Sequence, residues 1–204
     1  MTRIVVATGN QGKLKEIKDI FGNDLYEVVS MKECGISSDP DETGATFEEN
    51  ALIKARAVAE LVPDSVVLAD DSGLEVDALN KEPGIYSARY MGEDTSYDIK
   101  NANILERMEG VLEEKRTARF VCAMAAILPA SGKANPKEVV VRGVMEGRIG
   151  YEIKGENGFG YDPIFFLPEY NMTSAELSAQ EKNAISHRGA AIRLMRHELS
   201  RRRI

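Results

Sequence analysis

The chain has 204 residues, of which 43% are hydrophobic and 29% charged, with no low-complexity run. That is an ordinary globular composition, with room for one core, or one core and a smaller lobe, but not for two independent domains. A net charge of −7 leaves no broad basic surface for nucleic acid, and two cysteines, Cys34 and Cys122, are too few and unpatterned for a disulfide scaffold or thiolate metal site.

In chain order, Met1-Thr2-Arg3 leads straight into a strand at Ile4-Val5-Val6-Ala7, without a signal-like segment or an apolar stretch of membrane-spanning length, so a cytoplasmic protein that does not engage a membrane is expected. The strand feeds a glycine-containing turn, Ala7-Thr8-Gly9-Asn10-Gln11-Gly12-Lys13, and then an amphipathic helix with apolar Leu14, Ile17, Ile20 and Phe21. Lys13 and the turn's backbone amides converge where a helix N-terminus favours an anion, most simply a phosphate. The turn is not a P-loop, because Gly12-Lys13 is followed by Leu14 and the preceding spacing is too short.

Tyr26 to Val29 predicts a second strand, and Cys34 to Thr46 reads as a loop with a local acidic group, Asp39, Asp41 and Glu42, facing the phosphate site. Thr46, three residues before Glu49, starts a helix that runs to Leu61 with a stripe of Ala51, Ala55, Val58 and Ala59. Asn50 and Lys54 lie one turn apart on it and can point together at one ligand. Val66 to Ala69 predicts a buried strand that ends in Asp70-Asp71-Ser72-Gly73, and paired carboxylates there are costly unless a cation uses them.

Pro83 to Tyr90 reads as a turn and short segment in which Arg89 is a candidate anion partner, and Ser96 to Met108 as a helix. Residues 116–128 and 139–149 predict two long strands of a hairpin, joined by Pro129 to Pro136, within an extended mixed sheet. Gly155 to Pro163, with three glycines and the aromatics Phe159 and Tyr161, predicts a shaped pocket wall able to stack a ring, before a strand at Ile164-Phe165-Phe166. A C-terminal helix from about Glu176 carries Lys182 and Ser186-His187-Arg188-Gly189, continues through Leu199, and is followed by the basic tail Arg201-Arg202-Arg203.

These segments make complementary demands. The glycine turn and Lys54 supply phosphate donors, Glu42 and Asp71 can hold a divalent cation, Phe159 offers an aromatic surface, and Lys182 with His187 and Arg188 supplies donors toward carbonyl groups. Together they describe a nucleotide with a metal-bridged phosphate chain. No HExxH, CxxC or GxSxG pattern is present, against a zinc peptidase, redox enzyme or serine hydrolase.

The ordered set Thr8-Gly9-Asn10 with Lys13, Thr46 to Ala51 with Lys54, Ala69 to Leu74, Pro83 to Arg89, Gly158 to Pro163 and Ser186-His187-Arg188 resembles the inosine triphosphate pyrophosphatase family over essentially the full length. The resemblance implies an α/β fold, an elongated mixed sheet flanked by helices with two lobes around a nucleotide cleft, as one domain over residues 1–204. It implies hydrolysis of ITP, dITP and XTP to the monophosphate and pyrophosphate, with Mg2+ and a homodimer. It places Asp71 as general base, Glu42 and Asp71 at magnesium, and Thr8, Asn10, Lys13 and Lys54 at the phosphates, with Gly9, Gln11, Gly12 and Asn50 also among the substrate-binding residues. Ser72 falls at the nucleotide site, and Phe159, Gly160, Tyr161, Asp162, Lys182, His187 and Arg188 at the nucleoside. Asp39 and Asp41 remain able to share or replace the metal role of Glu42. A nucleotide pyrophosphatase of the septum-formation inhibitor type and a non-enzymatic nucleotide sensor remain as alternatives.

Overall fold

The computed structural model describes residues 1–22, 24–130, 135–202 and 204. Its strands are β1 Thr2–Val6, β2 Tyr26–Ser30, β3 Val66–Val76, β4 Thr117–Leu128, β5 Lys137–Ile149, β6 Phe165–Leu167 and β7 Met172–Thr173. The α-helices are α1 Gln11–Phe21, α2 Phe47–Ala59, α3 Tyr97–Arg107, α4 Ala179–Ile185 and α5 His187–Arg201. Among the described residues the strands form one sheet in the order β2-β1-β3-β4-β5-β6-β7. β1 pairs in parallel with β2 and β3, whereas β6 is antiparallel to β5 and β7, so the sheet is mixed and the fold α/β, as expected. The predicted connection between β4 and β5 lies partly outside the described residues, as does Arg203 of the basic tail.

The chain divides into two compact units, one of Met1–Asp71, Cys122–Gly143 and Gly189–Ile204, the other of Ser72–Val121 and Val144–Arg188. The division falls inside β3, β4, β5 and α5. In the first unit, Ile4 and Val6 of β1 and Leu68 of β3 share a core with Leu14, Ile17 and Phe21 of α1 and Ile192, Met195 and Leu199 of α5. The helical spacing of the α1 residues is what puts them on one face, and each fully buried large aliphatic contributes about 1.5–3 kcal/mol. Cys122 is buried in this core, as a small side chain in an apolar run should be. The second unit buries Leu74 and Val76 with Ile104, Met108, Phe120, Ile149, Ile164 and Phe165.

Several element ends differ by one or two residues from those the sequence suggests, with Ile164 in a short 3-10 turn ahead of β6, and three larger differences bear on the site. β3 does not stop before Asp70-Asp71 but runs through the acids to Val76, because Leu74 and Val76 are fully buried and Gly73 lets the strand meet the Pro83–Tyr90 segment closely. A Cβ on Gly73 would lie 2.4 Å from Ser87 Oγ and 2.5 Å from the Gly84 carbonyl oxygen. Ser87 Oγ accepts the Leu74 amide at 2.9 Å and donates to Gly84 O at 2.6 Å, so this contact is hydrogen-bonded as well as tight.

The predicted single C-terminal helix is two. Ser178 and Glu181 form a capping box that starts α4, and Ser186, in an extended conformation, ends it directly before α5. Finally, α1 starts at Gln11, so Gln11 and Gly12 belong to its first turn rather than to a preceding loop.

Candidate active site

In the first unit, Asn10 caps α1. Its side-chain oxygen accepts from Gly12 N at 2.8 Å and Lys13 N at 3.1 Å, while its own amide donates to Thr8 Oγ1 at 3.1 Å. The cap therefore takes two of the backbone amides expected near an anion, because a good N-cap side chain satisfies the same orphan donors that a phosphate would use. The helix end still favours an anion, since no acid stands in its first turn.

The Lys13 ammonium donates to Asp70 Oδ2 at 2.8 Å. A cavity of about 140 Å3 lies beside this pair, lined by Ala7, Thr8, Gly9, Lys13, Met31, Ser38, Asp39, Pro40, Lys54, Val58 and Asp70. Thr8, Gly9, Lys13 and Lys54 are thus brought to one concave surface. Gln11 and Gly12 are exposed on the first turn of α1 and are not among its lining residues.

Lys54 Nζ lies 2.8 Å from Glu42 Oε1 and 3.5 Å from Asp71 Oδ1. Burial lowers the pKa of Lys54, but Asp71, the Glu42 hydrogen bond and Asp70 outweigh it and hold the ammonium above the usual lysine value. Asp71 moves the other way from an ordinary ion-paired acid. Burial raises its pKa, Lys54 and the Asn50 hydrogen bond oppose this, Glu42 and Asp70 reinforce it, and the net direction is up. The geometry explains why both partners rise: Lys54 hydrogen-bonds closely to Glu42 and only distantly to Asp71.

Among the described residues, no group of three or more His, Cys, Asp or Glu side chains forms a ready metal cage. Glu42 and Asp71 instead converge on a single cation, the Lys54 ammonium. Two carboxylate donors suit a hard cation that completes its shell with water and substrate phosphates, as magnesium does. Of the neighbouring acids, Asp39 lines the cavity while Asp41 is exposed and its carbonyl accepts from Thr43 N.

In the second unit, Ser72 follows Asp71 along β3 and its Oγ accepts from Arg188 Nη2 at 3.5 Å. Phe159 is exposed, and Lys182 Nζ and the Arg188 guanidinium stand 5.3 and 5.8 Å from its ring centroid. His187 stacks on Phe120 with centroids 5.0 Å apart and an interplanar angle of 16°. Asp162 is buried, accepts from Phe159 N at 2.8 Å and Ser174 Oγ at 2.7 Å, and forms an ion pair with Lys182. Phe159, Asp162, Lys182 and Arg188 are therefore one connected group with an open aromatic face.

Tyr161 departs from the expected ring-stacking wall. It is buried, its hydroxyl donates to Ser87 O at 2.7 Å, and its ring meets Tyr97 edge-on at 5.3 Å, so its side chain fastens the loop from within. Gly160 presents its carbonyl to Asn101 Nδ2 at 3.0 Å. Asn101 and Ser174 lie outside the motifs of the sequence. Only their burial signals them, since a polar side chain inside a core needs a partner. Arg89 stands 5.0 Å from the Tyr86 ring centroid, within its own segment.

The chain matches the model of the Ham1 family over residues 4–198. It is 48% identical to a protein of Caldanaerobacter subterraneus named dITP/XTP pyrophosphatase, over 99% of this chain and 98% of that one, and equally identical to one of that name from Vibrio parahaemolyticus, over 98% of each. Among solved structures, the Staphylococcus aureus Ham1 protein superposes with a TM-score of 0.87 at 43% identity, over 98% of this chain and 100% of the other. The HAM1 protein of Coxiella burnetii does so with 0.88 at 40%, over the same shares. With a family model spanning nearly the whole chain and relatives this similar along their full lengths, the chain belongs to the Ham1 family.

Proposed function

We propose that the protein is a nucleoside triphosphate pyrophosphatase that hydrolyses ITP, dITP and XTP to the monophosphate and pyrophosphate with magnesium. The observation that carries this reading is the buried Asp71 with Lys54 and Glu42, next to the Lys13-lined cavity. The names of the relatives, dITP/XTP pyrophosphatases, support the substrate class.

In this reading Thr8, Lys13 and Lys54 hold the phosphate chain. Water attacks the α-phosphorus, and Asp71, whose pKa is raised by burial, accepts the proton. Lys13 and Lys54 offset the charge that gathers on the departing pyrophosphate. Glu42 and Asp71 would hold magnesium, which when bound supplies charge neutralisation at the phosphates and acidifies water.

Phe159 offers a stacking face to the base, and Lys182 and Arg188 supply donors. Hypoxanthine and xanthine present O6 as an acceptor, whereas adenine presents an amino donor, so fixed donors leave adenine mismatched. A homodimer and a cytoplasmic location accompany the reading.

The test is turnover of ITP, XTP and dITP against ATP, GTP, UTP and dTTP. Preferential turnover of the first three supports the proposal. ATP or GTP hydrolysed as fast as ITP contradicts it, preference for UTP or dTTP moves the protein to the septum-formation inhibitor type, and ITP binding without products makes it a sensor.

A further inference from the structure

Asn50 has no exposed surface, although it stands in the first turn of α2 beside the cluster. Its Oδ1 accepts from Gly44 N at 2.8 Å and its Nδ2 donates to Asp71 Oδ2 at 3.2 Å. One carboxamide therefore links the acidic loop to β3. The expected substrate contact gives way here to a different role, because a side chain with no exposed surface and two protein partners is spent on the protein.

The surrounding chain is built around this link. A Cβ on Gly44 would lie 2.7 Å from both Asn50 Oδ1 and Glu49 Cβ, so the loop can approach only as glycine. Glu49 Oε2 accepts from Ala45 N at 2.6 Å and Thr46 Oγ1 from Glu49 N at 3.1 Å, which fastens the next two residues to the same helix turn. Two residues before Gly44, Glu42 reaches Lys54, one turn beyond Asn50, and Lys54 in turn faces the other oxygen of Asp71. Asn50, Gly44, Glu42, Lys54 and Asp71 close a ring.

We propose that Asn50 is a positioning residue: it pins Oδ2 of Asp71, turns Oδ1 toward Lys54, and holds the Glu42 loop at a fixed distance from that carboxylate. This rests on the reading of Asp71 and Glu42 as the acids of a pyrophosphatase. A carboxamide is required because the two partners need opposite chemistry, an acceptor for the Gly44 amide and a donor for the carboxylate.

Asn50→Asp separates the two jobs. It keeps an oxygen for Gly44 N but sets a carboxylate, with no N–H, against Asp71, whereas Asn50→Ser is too short to hold both partners. In full-length protein, both variants are expected to fold cooperatively and lose about 100-fold in kcat for ITP, with KM changed by less than about threefold, since misplacement of a catalytic group costs turnover rather than uniform binding. Manganese binding to the nucleotide-free protein, read by electron paramagnetic resonance, should weaken about tenfold in Asn50→Ser, as when a group that orients metal ligands is removed.

An Asn50→Asp variant with wild-type kcat would overturn the proposal, since holding the loop would then be the whole role. A rise in KM matching the fall in kcat would overturn it in favour of a substrate contact. Should wild-type protein not hydrolyse ITP, the functional reading fails separately and the manganese comparison decides: weaker binding in Asn50→Ser supports positioning, and equal binding overturns it.

Discussion

Lys13 and Asp70 form an ion pair of 2.8 Å in which the carboxylate side chain is only 3% exposed, joining the first turn of α1 to β3. The next residue, Asp71, is approached by Lys54 from α2. Two consecutive acids in one strand are thus divided between two helices, which is how the strand carries paired charge without ending. Replacing Lys13 with Met removes the cation from a nearly buried carboxylate, and we expect a loss of about 1–3 kcal/mol in stability together with a fall of about 100-fold in kcat/KM for ITP. Asp70→Asn in the Lys13→Met background should recover part of the stability but not the activity, as read by denaturant unfolding and steady-state kinetics.

Asp71→Asn should reduce kcat by about 10^2 to 10^4-fold, the usual worth of a positioned proton acceptor. Its effect on stability has the opposite sign. Because the folded-state pKa of Asp71 is raised, chiefly by burial, its contribution to stability is fully present below the ordinary carboxylate range and is lost as pH rises through the raised value. The Asn variant escapes that loss. Melting temperatures of the two proteins should therefore diverge in favour of the variant as pH is raised from about 4 toward neutrality, a window that follows from the ordinary aspartate pKa.

Glu42→Gln tests the metal assignment without touching Asp71. Magnesium-dependent turnover should weaken, with saturation moved to about tenfold higher magnesium, in line with the loss of one carboxylate donor from a site that has two. An unchanged magnesium curve would remove Glu42 from the metal and direct attention to Asp39, which lines the neighbouring cavity.

Asp162→Asn addresses the second unit. The carboxylate collects the Phe159 amide, Ser174 Oγ and Lys182, and the amide variant keeps the size while losing the ion pair and one acceptor. We expect KM for ITP to rise about tenfold with a smaller change in kcat, because a loosened loop weakens base binding in ground and transition states alike.

Gly73→Ala is a purely steric prediction. The added methyl group would overlap Ser87 and the Gly84 carbonyl, and overpacking of this kind costs about 1–3 kcal/mol, measurable as a lowered melting temperature.

Much of this was legible in the sequence because its signals are local. The apolar spacing of Leu14, Ile17 and Phe21 specifies α1, the continuous Ile4-Val5-Val6 run specifies a hydrophobic strand, and Thr46 with Glu49 specifies where α2 starts. The failures arose where a local signal met a distant partner. Asp70-Asp71-Ser72-Gly73 reads as a strand end until Lys13, Lys54 and Ser87, all remote in sequence, are seen to satisfy it. Tyr161 reads as part of a ring-stacking pocket wall until Ser87 O and Tyr97 take it inward. Ser186 breaks the last helix through its extended backbone, which an apolar periodicity running on both sides conceals.

The central claim, hydrolysis of the α–β phosphoanhydride of a non-canonical purine nucleotide, is tested most directly by turning over ITP with magnesium in 18O-labelled water and locating the label by mass spectrometry. Equimolar IMP and pyrophosphate with the label in IMP are expected, since water attacks the α-phosphorus. Label in pyrophosphate would move the attack to the β-phosphorus, and IDP with labelled free phosphate would contradict the claim altogether.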